Sequence, residues 1–300
     1  MTSAAAAPWR FDAIGTRWQI QTASPLGESE RTGILDLIDR FDRDWSRFRP
    51  DSLVRSIERG GRASAPPEAA DMLELYAELS DATGGAVNPL VGESLARRGY
   101  DAAYSFTDRG AHPAPARWRE VLGVSGGILQ IDAPAVIDVG ALGKGRLVDV
   151  VADHLLTLPE ATAEGGVVVD AGGDIRVLGA PAAPERIALE HPYDPSRAVG
   201  VWQLTTGALC ASAVNRRAWG EGLHHVLDAR TGEPVRQVAA TWALAPTAML
   251  ADALATALFF DGGAELAHRR GVEWVRMTTS GRLEWSPGAV TAGADLFVGR

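Results

Sequence analysis

The chain is predicted to fold as an α+β protein, a largely antiparallel sheet with packed helices. Two observations carry that expectation. Strand-like and helix-like segments alternate irregularly along the 300 residues, and several strands follow one another directly through short turns, as in Val167–Val169, AGGD and Ile175–Leu178. A doubly wound parallel sheet would need a crossover in each such connection.

Residues 9–22 (WRFDAIGTRWQIQT) read as one strand interrupted at Gly15-Thr16. Ile34, Leu37, Ile38, Phe41, Trp45 and Phe48 keep a helical spacing, which predicts an amphipathic helix over 28–48 ended by Pro50. A second helix begins near Pro67, a good first-turn residue, and runs through Met72, Leu75, Tyr76 and Leu79 to about Ala82. TGGAVNPLVG (83–92) is turn-rich, and 100–117 reads as a variable surface loop. Short strands are expected at Ile128–Ile131 and Val136–Val139, after which GALGKG opens a helix through Leu147, Val148, Val151, Leu155 and Leu158. Beyond the glycine hairpin, strands are expected at 186–190, 199–204, 208–212, 225–227 and 241–245. An apolar helix over Ala248–Phe260, closed by Gly262-Gly263, precedes strands at 272–277 and 282–285. No repeat or low-complexity linker divides the chain, so residues 1–300 are expected to form one domain, or two intimate lobes.

Composition narrows the function classes. A net charge of −9 with no Lys/Arg run argues against a nucleic-acid surface. The single cysteine, Cys210, excludes internal disulfides and any cysteine metal cage, and its apolar neighbours suit a small core residue. The opening segment MTSAAAAPWRF has no basic n-region, long apolar h-region or lipobox cysteine, which makes the cytoplasm the expected location. No membrane span is expected, because Ala248–Phe260 is shorter than the ~20 residues required and carries Asp252.

Asp252 and Thr256 are the only polar side chains in AMLADALATALFF, and their i, i+4 spacing places them on one helix face. A carboxylate and a hydroxyl are hard oxygen ligands of the kind Mg²⁺ takes beside substrate phosphates. Taken alone, the helix favours a structural carboxylate that pairs with an arginine or caps a neighbouring turn. IDVGALGKGRLVD (137–149) has the strand, glycine loop and helix order that aims backbone N–H groups at a phosphate, with Lys144 adding charge. It matches neither the Walker A nor the dinucleotide fingerprint, and a tight strand-to-helix turn explains it equally well. In HHVLDARTGEPV (224–235), His225 could act as a general base, but it faces away from Asp228 in an extended strand. A plain Asp228–Thr231–Gly232 turn is the simpler explanation. The paired glycines of AGGDIRVLG (171–179) suit a hairpin or a close backbone approach to a ligand. G-x-S-x-G and H-E-x-x-H are absent, which removes the familiar serine hydrolase and zinc protease arrangements.

In order along the chain, AIGTRW, DRDWSRFRPDSLV, TGGAVNPLVG, IDVGALGKGRLVD, VDAGGDIRVLG, HVLDARTGEPV and ADALATA resemble the conserved blocks of the ApbE-like flavin transferases, the FAD:protein FMN transferases. The resemblance covers nearly the whole chain and implies a T-fold-like flavin transferase architecture. It also implies Mg²⁺-dependent cleavage of FAD, with FMN passing to a Thr or Ser hydroxyl of a target flavoprotein and AMP leaving. FAD hydrolysis and FAD binding without catalysis are the alternatives. By the same resemblance, Asp252 and Thr256 would hold Mg²⁺ with the carbonyl of Ala141. His225 would handle the acceptor proton, and Ile14, Phe48, Ala86, Val87, Asn88, Asp138 and Lys144 would contact FAD. Three positions depart from the family pattern: Ile14 for Met, Asn88 for Asp, and Ala213 for Gly. Asn88 bears on FAD affinity more than on the chemistry.

Overall fold

The computed structural model describes residues 7–158, 161, 166–179, 181 and 183–297, so residues 1–6 of the opening segment lie outside the described residues. Its centre is an eight-stranded sheet formed by Trp9–Ala13, Thr16–Gln21, Gly166–Ala171, Asp174–Gly179, Gly207–Ala213, Val238–Ala245, Glu273–Thr278 and Leu283–Trp285. Spatial order follows chain order, and every neighbouring pair is antiparallel. Apart from a final strand at Ala294–Leu296, the remaining elements lie between adjacent strands of this sheet. Helices α1 (Glu28–Trp45), α2 (Leu53–Ile57), α3 (Ala69–Ala82), α4 (Gly92–Arg97) and α5 (Gly143–Leu156) fall between the second and third strands. Helices α6 (Ala248–Ala257) and α7 (Gly263–Arg269) fall between the sixth and seventh. Among the described residues, no helix is long and apolar enough to cross a membrane.

Both faces of the sheet are buried, and the two-residue period of a strand decides which side chain goes where. Val167, Val169, Ala208, Cys210, Ala243 and Ala245 join the core formed with α1, α2, α3, α5, α6 and α7. Their neighbours Val168, Leu209 and Trp242 point the other way, into a second core with Trp202, Leu189 and Val199. That second core is closed by a three-stranded sheet of Glu185–Glu190, Ala198–Leu204 and Ala294–Leu296. Double-sided burial explains why VVV reads as a continuous apolar run instead of an alternating one.

Several boundaries differ from the sequence expectation, each for a local reason. Residues 9–22 form two strands, not one. Ile14 at φ +46° and Gly15 at φ +72° make a two-residue hairpin turn of the primed kind. A β-branched residue at positive φ is strained. Helix α1 stops at Trp45, because Ser46 is extended and Arg47 and Phe48 leave the helix axis. Val136–Val139 is not a strand: the Asp138 N–H binds Pro89 O at 2.8 Å and no ladder partner lies beside it. The expected strand at 225–227 is two separate bridges, Leu223–His224 and Leu227–Asp228, with His225 at the break. A small sheet of Gly61–Ser64, Leu122–Ser125 and Ile128–Ile131 adds two strands that the sequence did not announce.

Helices α5 and α6 pack at unusually short range. A Cβ built on Gly145 would lie 2.2 Å from Ala248 O and 2.7 Å from Asp252 Cβ. The alanines at 248, 251, 253, 255 and 257 leave α6 slim enough for that approach. Gly145→Ala is therefore expected to separate the helices and cost about 1–3 kcal/mol. Urea unfolding checks it: a lower midpoint at unchanged slope is expected, and an unchanged midpoint would contradict the close contact.

Candidate functional site

A cleft of about 1340 Å³ is lined both by helix residues such as Lys144 and Asp252 and by sheet residues of the second core such as Leu209 and Trp242. Ile14, Phe48, Ala86, Val87, Asn88, Asp138, Ala141, Lys144, His225, Asp252 and Thr256 all line it, although they are spread over more than 240 positions of sequence.

At its centre, α5 and α6 face each other through three hydrogen-bonded rungs at four-residue intervals. Thr256 Oγ1 donates to Ala141 O at 3.2 Å. Gly145 N–H donates to Asp252 Oδ2 at 2.9 Å. Ala248 N–H donates to Asp149 Oδ1 at 2.8 Å, and Met249 N–H donates to Asp149 Oδ2 at 2.8 Å. The i, i+4, i+8 stripe of one helix thus runs antiparallel to that of the other. Each helix start is met by a carboxylate from its partner, which satisfies orphan donors and opposes the positive end of the dipole. Thr247 completes the cap of α6 by accepting from Leu250 N–H at 3.3 Å.

Beneath the rungs, strand Asp174–Gly179 adds two alternating charges. Asp174, fully buried, pairs with Lys144, and Arg176 Nε lies 3.5 Å from Asp149. Three buried carboxylates here face two cations. Burial, then the neighbouring Asp174, pushes the Asp252 carboxyl well above the usual carboxylate range. Burial opposes the Lys144 charge, but Asp174 and Asp252 outweigh it and hold its pKa above the ordinary lysine value. Among the described residues, no group of three or more His, Cys, Asp or Glu could hold a metal ion. One turn along from Asp252, Thr256 and the Ala141 carbonyl supply neutral oxygens.

The glycine loop is narrower in role than its sequence suggested. Gly140 N–H binds Asp138 Oδ1 at 2.8 Å, Gly143 N–H binds Val139 O at 2.7 Å, and Gly145 N–H binds Asp252. These donors are engaged within the chain and are not free for a phosphate. Lys144 lines the cleft with part of its side chain, while its Nζ is buried against Asp174.

One arm of the cleft is aromatic. Arg47, released by the early end of α1, donates to Asp138 Oδ2 at 2.5 Å and to Tyr100 O at 2.7 Å. Its guanidinium sits 4.2 Å from the Phe48 ring centroid. Phe48 stacks on Tyr104 at 5.3 Å, and Tyr100 stacks on Trp219 at 5.4 Å. The 100–117 segment, expected as surface loop, has no regular structure before the short 3₁₀ turn at Trp118–Glu120, yet it is tightly held. Arg98 pairs with Asp108 at 2.9 Å and Glu233 at 2.5 Å and donates to Gly232 O at 3.0 Å. Asn88 accepts from Leu90 N–H at 2.9 Å and donates to Pro115 O at 3.0 Å. An Asp at position 88 could not make the second bond, so the departure from the family residue braces this loop.

His225 stands on the cleft wall, and Asp228 does not orient it. Asp228 instead accepts from Arg230 Nε at 2.9 Å and from Arg230 N–H at 2.9 Å, building the turn. His224 is structural, its ring bonded to Val235 O at 2.9 Å. Burial, with Arg217 and His224 nearby, pushes the His225 pKa down to about 3, and its Nδ1 has no hydrogen-bond partner. The ring is neutral at physiological pH. Because the folded pKa lies below the unfolded value of about 6.5, His225 contributes stability above pH 6.5 that is lost as pH falls toward 3. The stability advantage of the wild type over His225→Gln should therefore shrink between pH 8 and pH 5. A constant difference across paired denaturation curves would contradict the buried neutral ring.

Sequence reasoning missed Arg47, Asp149, Asp174 and Arg176. Asp174 sits inside the AGGD segment, and Asp149 follows Gly145 by four residues on a helix, the one signal that could have placed it on the Asp252-facing side.

Comparison with known proteins agrees with this geometry. The ApbE family profile matches residues 14–275. A Rhodobacter capsulatus relative named FAD:protein FMN transferase is 29% identical over 301 residues, covering 92% of this chain. The alignment takes in 56% of that relative, so the chain spans little more than half its length. A Haemophilus influenzae protein of the same name is 28% identical over 276 residues, covering 83% of this chain and 79% of its own. The crystal structure of the ApbE protein of Thermotoga maritima superimposes with a TM-score of 0.82 at 22% identity, over 96% of this chain and 99% of its own. A profile match over most of the chain, on a shared fold, makes the chain a member of the ApbE family.

Proposed function

We propose that the chain transfers the FMN moiety of FAD to a Thr or Ser hydroxyl of a target flavoprotein, with release of AMP, in a Mg²⁺-dependent reaction. The observation that carries this reading is the rung pair Thr256–Ala141 and Asp252–Gly145, which brings one carboxylate, one hydroxyl and one carbonyl together on a cleft that also holds His225. The two relatives named FAD:protein FMN transferase support the choice of donor and product.

The donor set fits Mg²⁺. All three oxygens are hard ligands, and few protein ligands suit an ion that keeps its waters and substrate phosphates. Asp252 is the carboxylate that the two buried cations leave uncompensated. Bound there, Mg²⁺ would supply charge neutralisation at the FAD pyrophosphate. Lys144 adds a fixed positive charge beside it, anchored by Asp174. Phe48 and the Ala86–Asn88 turn line the arm that would hold the ring systems, with Ile14 on the opposite wall and the Arg47–Asp138 pair closing the floor.

In the transfer step the acceptor oxygen attacks the FMN-side phosphorus, the bond from that phosphorus to the bridging oxygen breaks, and AMP departs with the bridging oxygen. We assign the hydroxyl proton to His225, the neutral ring on the cleft wall, as that bond forms. The cleft, at about 1340 Å³, is large enough for FAD together with an acceptor segment.

Incubation with FAD, Mg²⁺ and an acceptor flavoprotein domain should give covalently fluorescent protein that survives denaturing electrophoresis. Asp252→Ala should lower the rate by at least about 10²-fold, in line with loss of an electrostatic stabiliser. FAD that binds without transfer would contradict the proposal, and equal AMP release without acceptor would assign hydrolysis instead. Chelation should abolish transfer, and added Mg²⁺ should restore it.

A further inference from the structure

The third rung between α5 and α6 holds no group that faces the reacting atoms, yet it is the most heavily built. Asp149 is 4% exposed, accepts two backbone N–H bonds at 2.8 Å each, and is flanked by Arg176. Those N–H groups belong to Ala248 and Met249, the first two residues of α6. Asp252 lies one turn further along the same face and Thr256 one turn beyond it. Asp149 and Gly145 are likewise one turn apart on α5. The distance between Asp149 and the Gly145 N–H is therefore fixed within one helix. The distance between Ala248 and Asp252 is fixed within the other. Locking Asp149 onto Ala248 consequently sets the axial register at which the Asp252 carboxylate meets Gly145 and Thr256 meets the Ala141 carbonyl.

We propose that Asp149 is a positioning residue for the reaction, holding α6 in the register that brings its two metal-facing oxygens into place. The inference rests on the transferase reading above. Asp149 touches neither FAD nor metal and acts wholly through the start of α6. Arg176 Nε, 3.5 Å from Asp149 Oδ1, places a positive charge beside that carboxylate from the strand below. An ordinary helix cap would affect stability alone, whereas a register lock also controls how Asp252 and Thr256 present their oxygens.

The test compares Asp149→Asn and Arg176→Gln with wild type, using full-length protein. Mg²⁺ binding to the FAD-loaded protein is measured by calorimetry, FAD binding without Mg²⁺ by fluorescence, and folding by thermal melting. Asn at 149 can still accept one N–H but sets its own NH₂ against the other. Asp149→Asn should weaken Mg²⁺ binding at least tenfold while FAD affinity without Mg²⁺ changes less than twofold. Arg176→Gln, which leaves both N–H bonds intact, should shift Mg²⁺ binding in the same direction by two- to fivefold. A lower melting temperature with unchanged Mg²⁺ affinity would overturn the proposal, since it describes a plain cap. If Asp149→Asn fails to fold, Arg176→Gln decides, and an unshifted Mg²⁺ affinity there overturns it equally. Wild type that binds no Mg²⁺ with FAD would instead sink the transferase reading. Wild type that binds Mg²⁺ and transfers FMN, matched in Mg²⁺ affinity by both variants, would sink the positioning role alone.

Discussion

The contact between α5 and α6 is the constraint on which the rest of the site depends. Two helices from distant parts of the sequence meet along matching four-residue stripes, 141–145–149 (Ala141 just before α5) and 248–252–256. Only a glycine at 145 permits the approach, because a side chain there would overlap the Ala248 carbonyl. Each carboxylate in the seam does two things. Asp149 and Asp252 each satisfy donors at the start of the opposite helix, and each contributes charge to a buried network with Lys144, Asp174 and Arg176. Burying three carboxylates against two cations is unfavourable without a further positive charge or a retained proton. Burial and the neighbouring Asp174 raise the Asp252 pKa, in keeping with that imbalance.

The cleft walls are built with the same economy of long-range links. Arg47 reaches Asp138 across 91 residues of chain, and Arg98 reaches Gly232 across 134. Both arginines are nearly buried and both tie loops to the regular core. The aromatic arm depends on them. Arg47 lies over Phe48, while the backbone carbonyl of Arg98 accepts the Trp219 indole N–H at 2.8 Å. Ile14 adds a strained turn at the opposite wall, its positive φ held by the pairing of the flanking strands. Strain of this kind persists where surrounding structure determines it, and here it lies at the cleft.

Much of this was legible in the sequence. Helical spacing located α1, α3, α5 and α6, and the glycine hairpin located the centre of the antiparallel sheet. The polar pair in an apolar helix singled out Asp252 and Thr256, since a buried carboxylate needs a partner. What escaped was long-range or decided by competition. Helix α1 was expected to run to Phe48, but the Arg47–Asp138 pair draws the chain out of the helix after Trp45. Val136–Val139 has the composition of a strand and no neighbour to pair with. The GALGKG loop looks like a phosphate cradle because spacing cannot show that its N–H groups are engaged by Asp138, Val139 and Asp252. Asp149 gave only its four-residue spacing from Gly145 and Asp174 no local signal, because their partners lie 99 positions away in Ala248 and on helix α5 in Lys144.

The central claim is that this seam presents Asp252, Thr256 and the Ala141 carbonyl to one divalent ion at the FAD pyrophosphate. A crystal soaked with Mn²⁺ and FAD, measured at the manganese absorption edge, tests it most directly. The account predicts a single strong anomalous peak within coordinating distance of the Asp252 carboxylate, the Thr256 hydroxyl and the Ala141 carbonyl, adjoining the FAD phosphates. Ordered FAD phosphates in the cleft with no anomalous peak at Asp252, or with the peak elsewhere, would contradict it.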